Sequence, residues 1–225
     1  MPSAEPITPL SDILVTKSMQ NDSAHMRWIE RTYGLEARKR IDELYRVGGY
    51  NDFVIFWQID TSGHVRTGKV MAYDEHTGKR LKGPGTCTWM HSIAEREGHL
   101  PEGWRLTQCL YGEHLLKEYP DSIVAVVEAA KTAHVGAILY PDMVWVAVDS
   151  MMGLTAEKLR PLKGRMVVLF PDEGKGYEVW SKKVEAIAHE VGFRYRLSTF
   201  MEGREKGSDI ADLSGDAEHG KQRSL

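Results

Sequence analysis

The sequence predicts an α/β protein: a four-stranded parallel sheet flanked by helices, preceded by a smaller α+β segment. Three observations lead there. Between residues 123 and 200, stretches of strand and helix character alternate. The first three strands (IVAVVE at 123–128, MVWVAV at 143–148, MVVLFPD at 166–172) are near-continuous Val-rich apolar runs, as expected of parallel strands covered on both faces. Upstream, the apolar period changes to two, the mark of an antiparallel hairpin.

Taken in order, residues 1–22 contain proline and read as a flexible amino terminus, with a short apolar patch at Ile13 to Val15. A smaller subdomain of helices and a hairpin is expected over 23–120. Its first helix starts at Asp22-Ser23, turns Met26, Trp28, Ile29 and Tyr33 inward, and stops at Gly34. A second helix carries an apolar stripe of Leu35, Ile41, Leu44 and Tyr45, a basic face, and ends at Gly48-Gly49. DFVIFWQID and VRTGKVMAY then form two strands around the turn TSGH. The α/β domain spans 121–213, its fourth strand at 193–200, and 214–225 reads as a flexible polar tail.

With 42% hydrophobic and 27% charged residues, the 225-residue chain has an ordinary globular composition. A net charge of −3 means that any nucleic-acid contact must come from a local basic patch. The start has no basic end followed by an apolar core, and no apolar run approaches the roughly 20 residues of a membrane span. A cytoplasmic protein with two free thiols and no membrane partner is expected. The pairs Cys87/His91 and Cys109/His114 contain no C-x2-C knuckle, and no zinc is expected. No glycine-rich phosphate loop, dinucleotide fingerprint or nucleophile elbow is present.

Two groups of residues carry the candidate chemistry. Glu128, Asp149 and Asp172 fall at the carboxyl ends of the first three strands, the edge where open parallel sheets bind ligands. Carboxylates gathered there repel one another unless they face water or share a cation such as Mg²⁺; alternatively they cap strands and open helices. Arg66, Lys69, Lys79, Arg80 and Lys82 crowd the returning half of the hairpin, near Phe56, Trp57 and Tyr73. That hairpin either holds phosphates or a single strand, or is an exposed loop with ordinary surface cations.

These passages together resemble the TOPRIM domain shared by bacterial-type primases and topoisomerases. The match runs through VAVVE with Glu128, LFPD with Asp172, and SDIAD with Asp209 and Asp212. VIFWQIDTSGHVRTGKVMAYD is similar to the strand pair before TOPRIM in primases, and CLYGEHLLKEYPDSIVAVVEAAKTA to their LYG…VEG passage. AAKTAHVGA, with Lys131 and Thr132, looks closest to primase-like proteins of phages, plasmids and integrated mobile elements, where the metal-ligand aspartate of the first helix is commonly Thr. The resemblance covers about residues 25–213.

It implies a primase-like nucleotidyltransferase acting on single-stranded DNA with nucleotides, in replication of a mobile element, with a helicase or relaxase in trans. Glu128 and Asp172 would be catalytic; Glu128, Asp172, Asp209 and Asp212 would hold Mg²⁺ or Mn²⁺. Arg66, Lys69, Lys79, Arg80 and Lys131 would neutralise phosphates. The family's D-x-D reads Asp172-Glu173-Gly174 here, so its second aspartate is missing, and VEG has become Val-Glu-Ala. Two-metal phosphoryl transfer needs carboxylates for both ions. A degenerate TOPRIM fold that binds nucleic acid without chemistry, or a single-metal nuclease, are the alternatives.

Overall fold

The computed structural model describes residues 8–100, 102–205 and 208–215. The chain divides into two compact units between Cys109 and Leu110.

The first unit begins with a helix where a flexible terminus was expected. α1 (Asp12–Ser18) is capped by the Ser11 hydroxyl, which accepts from the Ile13 N–H. So short a helix is marginal alone, and tertiary contacts hold it. Leu10 pairs with Val65 and, with Val15, joins a core of Ile55, Trp57, Ile59 and Val70. The Trp57 indole donates to Ser18 Oγ at 2.9 Å.

α2 (Ala24–Tyr33) starts at the Ser23 cap, ends at Gly34 (φ 90°), and buries Met26, Trp28 and Ile29, as its spacing predicts. α3 (Leu35–Tyr45) buries Ile41 and Tyr45; Leu35, assigned to the same stripe, stands 51% exposed on the opening turn. On its basic face, Arg38 bonds Glu30 and Asp22 at 2.8 and 2.7 Å. The helix stops at Arg46 in the left-handed region, so Gly48-Gly49 does not end it but opens β1 (Gly48–Tyr50).

β2 (Phe53–Ile59) and β3 (Val65–Met71) form the expected hairpin, within a four-stranded antiparallel sheet β1-β2-β3-β4. Its far edge is β4 (Cys87–Trp89), followed by α4 (Met90–Arg96). Phe56, Trp57 and Tyr73 are buried core residues and are not available to stack on a ligand, which corrects that expectation. Asp60 organises the hairpin turn. Its carboxylate accepts from the Ser62 and His64 N–H groups at 2.8 and 2.9 Å and from Arg66 Nε at 2.7 Å.

The second unit starts earlier than the expected boundary at Pro120-Asp121. Tyr111 and Ala147 exchange backbone hydrogen bonds of 2.9 and 3.0 Å, which joins the stretch carrying α5 (Leu115–Glu118) to the parallel sheet. There follow β5 (Val124–Val127), α6 (Ala130–Leu139), β6 (Val144–Ala147), α7 (Ala156–Leu159), β7 (Met166–Phe170), α8 (Lys175–Val191) and β8 (Arg194–Leu197). All three strand pairs are parallel, in the order β6-β5-β7-β8. β8 is shorter than the 193–200 stretch suggests and exposes Arg194, Tyr195 and Arg196, in keeping with a charged edge strand. α6 packs on β5 and β6, and α7 on α8. Right-handed crossovers running in opposite directions from β5 and β7 put α6 and α8 on opposite faces of the sheet. The tail at 214–225 lies outside the described residues beyond Gly215. Among the described residues no helix is long and apolar enough to cross a membrane.

Burial alone would raise the Asp60 pKa, but the hydrogen bonds from Arg66, His64 and Ser62 outweigh it and hold the carboxyl below its ordinary range. A depressed carboxyl stabilises the fold above its unfolded pKa and loses that contribution as pH falls through the folded value. Asp60→Ala, which strands the half-buried Arg66, is expected to cost about 3 kcal/mol in urea unfolding at neutral pH. The deficit should narrow in acid, where wild-type Asp60 is itself protonated.

Candidate active site

The site follows from strand register. Val127 at the end of β5 lies beside Phe170 at the end of β7. The chain leaves β5 toward β6 and leaves β7 toward β8, so the two connections part and open a crevice at the carboxyl ends of adjacent strands. Glu128 and Asp172 are the acids that follow those two ends. Sequence order alone places them at one edge; the strand order makes them neighbours.

Burial sets their chemistry. Glu128 Oε1 and Asp172 Oδ1 are both shielded from water and have no hydrogen-bond partner. The Asp172 backbone N–H donates to the Glu128 carboxylate and only partly offsets the cost of burial. Desolvation, with the negative charge of Asp209, pushes the Glu128 pKa up to about 7. Desolvation and repulsion from Glu128, Asp209 and Asp212 push Asp172 up to about 8.

Asp209 and Asp212 reach this neighbourhood on the segment after β8, which closes in a 3-10 turn (Ile210–Gly215) packed on α6. The Thr132 hydroxyl on α6 donates to Asp209 Oδ2 at 2.7 Å, and the Ala211 N–H donates to Oδ1 at 2.6 Å. Asp212 accepts from the Asp209 N–H at 3.0 Å. The Glu173 N–H donates to the Ser208 carbonyl at 3.0 Å, tying this segment to the loop after β7. Burial raises the Asp209 pKa, against the Thr132 hydrogen bond and the nearby charge of Lys131.

The loop 172–176 holds the position where the resemblance expects a second aspartate. Gly174 has φ 89° and ψ −113°, a conformation that L side chains rarely adopt, so the third position of the motif is closed to aspartate by the backbone. A β-carbon on Gly176 would collide with Glu128 Oε1, so this glycine lets the first turn of α8 lie against the glutamate. Neither Gly176 nor the Ser208 tie is among the residues expected from the sequence; the glycine pair flanking Lys175, starting two residues after Asp172, was the available signal for the first.

The other assigned residues are placed differently. Asp149 sits at φ 68° after β6. Arg66 is engaged with Asp60, and its other nitrogen donates to Thr107 at 2.7 Å. Lys69 lies 5.6 Å from the Trp89 ring centre, while Lys79 and Arg80 are exposed on the turn after β3. His134 is fully buried 2.6 Å from the Tyr111 hydroxyl, and burial lowers its pKa to about 3. It is a neutral packing residue, unsuited to take up a proton. Cys87 is exposed and Cys109 buried, and His91 bonds Thr67 at 2.8 Å.

The donor set at the crevice is all oxygen and includes two orphaned buried carboxyl atoms, which suits a hard divalent cation. Among the described residues no three His, Cys, Asp or Glu side chains gather closely enough to hold a metal. Magnesium commonly binds through one or two carboxylates and keeps several waters. The Glu128–Asp172 pair fits that mode.

The architecture is that of primase catalytic cores. A DnaG catalytic core matches with a TM-score of 0.55 at 16% identity, over 91% of this chain and 74% of that one. The catalytic core of Escherichia coli primase gives 0.55 at 14%, over 91% and 74%. A DnaG primase catalytic domain bound to single-stranded DNA gives 0.54 at 14%, over 91% and 73%. At these identities the likeness is one of fold. The chain belongs to the family described as "Domain of unknown function (DUF6371)", whose model matches residues 23–173 and so takes in Glu128 and Asp172 but stops short of Asp209. A search of curated protein sequences gives no match.

A carboxyl whose folded pKa lies above its unfolded value weakens the fold as pH rises from the unfolded toward the folded value. For Glu128 and Asp172 that window runs from their ordinary values of 4.5 and 3.8 to about 7 and 8. Metal-free Asp172→Asn should therefore melt higher than wild type at pH 9 and close to it below pH 4. Saturating Mg²⁺ should stabilise wild type more than the variant, as read by calorimetric melting.

Proposed function

We propose that the protein is a cytoplasmic primase-like nucleotidyltransferase that extends a nucleotide chain on single-stranded DNA, in the replication of a mobile element. The observation that supports this most directly is the pair of buried, unpartnered carboxyl oxygens of Glu128 and Asp172 at the crevice of a primase-core fold. Their arrangement suits a Mg²⁺ or Mn²⁺ ion, assisted by Asp209 and Asp212. Such an ion supplies neutralisation of the charge that builds on the phosphoryl group and the leaving oxygen.

The residues of the chain do the rest. Glu128 and Asp172 convert the repulsion between them into affinity for a cation, since the pair is costly to ionise when none is bound. Lys131, beside Asp209, and the exposed Lys79 and Arg80 are proposed to draw in phosphates, with Lys69. Arg66 contributes to that task only through the face its bond to Asp60 leaves open. A helicase or relaxase acting in trans would supply unwound template.

The backbone at Gly174 favours a second reading, in which the fold grips single-stranded nucleic acid without chemistry, or cuts it with one ion. One assay separates them. Wild-type protein is incubated with nucleotides, single-stranded DNA and Mg²⁺ or Mn²⁺, and labelled products are resolved by length. Extension products are expected, and Glu128→Gln should reduce them on the order of a hundredfold or more while melting no lower than metal-free wild type. Shortened DNA would replace the polymerase with a nuclease. Salt-sensitive DNA binding that ignores both Mg²⁺ and Glu128→Gln, with no product, would leave the binding module.

A further inference from the structure

The segment after β8 follows a specific route. It runs back across the unit to α6 and is pinned twice, by the Glu173 N–H on the Ser208 carbonyl and by the Thr132 hydroxyl on Asp209. Thr132 is 1% exposed, in the first turn of α6, the helix that starts two residues after Glu128. A buried threonine in a helix commonly satisfies its hydroxyl on the carbonyl one turn back. Here the hydroxyl instead reaches 77 residues along the chain to a carboxylate. The carboxylate so held is also half-buried, and its charge is felt at both Glu128 and Asp172.

We propose that Thr132 is a positioning residue: its hydroxyl holds Asp209 beside the Glu128–Asp172 pair, so that a carboxylate from the segment after β8 supports, through its charge or a bridging water, a cation bound by that pair. This rests on the reading of the crevice as a divalent-cation site. One oxygen of Asp209 takes the Thr132 hydroxyl and the other the Ala211 N–H, leaving each with a second lone pair for a cation or its water. Partners of this kind fix the orientation of a ligand, and their loss typically lowers metal affinity about 10- to 100-fold.

The test uses Thr132→Val, which keeps the shape and removes the hydroxyl, Thr132→Ser, which keeps the hydroxyl, and Asp209→Asn. Mn²⁺ affinity is measured by calorimetry, and hydrogen–deuterium exchange of residues 208–212 is followed without metal. Thr132→Val should weaken Mn²⁺ about tenfold and speed exchange in that segment, with Thr132→Ser close to wild type in both. Combining Thr132→Val with Asp209→Asn should weaken Mn²⁺ no further than Asp209→Asn alone, because the two act as one unit. A Thr132→Val protein that binds Mn²⁺ like wild type, or additive losses in the double variant, would overturn the assignment of Thr132 while leaving the cation site standing. Wild-type protein that binds no Mn²⁺ would overturn the cation reading, and the role of Thr132 with it.

Discussion

One oxygen of each of two carboxyl groups, Glu128 and Asp172, is held out of water where β5 and β7 part, and much of the second unit is arranged around that cost. Each oxygen that stays unpartnered there must be neutral, or must face a cation. The surroundings leave this tension in place. The Asp172 N–H on Glu128 offsets that cost in part, while Asp209 and Asp212 add further negative charge. A purely structural crevice would be better served by apolar side chains, and every other side chain of β5 and β6 is of that kind.

The first unit handles charge in the opposite way. Several of its arginines are matched: Arg27 to Asp22, Asp52 and Glu75, Arg38 to Asp22 and Glu30, and Arg66 to Asp60. Exposed pairs of this sort contribute little to stability, but they limit how many of these groups can meet a phosphate. Lys79 and Arg80 are exposed on the turn after β3. The basic character of the hairpin therefore resides in its turn more than in its strands.

The parallel sheet was legible because strands covered on both faces must be continuous in apolar residues, and 123–128, 143–148 and 166–172 are. The caps at Ser23 and Gly34 were legible because helix ends use few residue types. α1, β1 and β4 were not. The two strands have three residues each, too few to show a period of two, and α1 depends on contacts to Trp57 and Val65. At the site, Glu128 and Asp172 could be picked out because each directly follows an apolar strand. The bond between Thr132 and Asp209 could not, since no local pattern links positions so far apart. Nor does composition reveal that Phe56 and Trp57 face inward while Lys79 faces out.

The conformation at Gly174 also bears on which substitutions the loop can accept. Its main chain has a shape that L side chains rarely adopt, and Gly176 beside it brings α8 onto Glu128. Placing a carboxylate at position 174 would require the loop and the first turn of that helix to change together. No single substitution there adds an acid to the crevice, so its charge can be tuned one residue at a time only at the carboxylates already present and on the segment that carries Asp209 and Asp212.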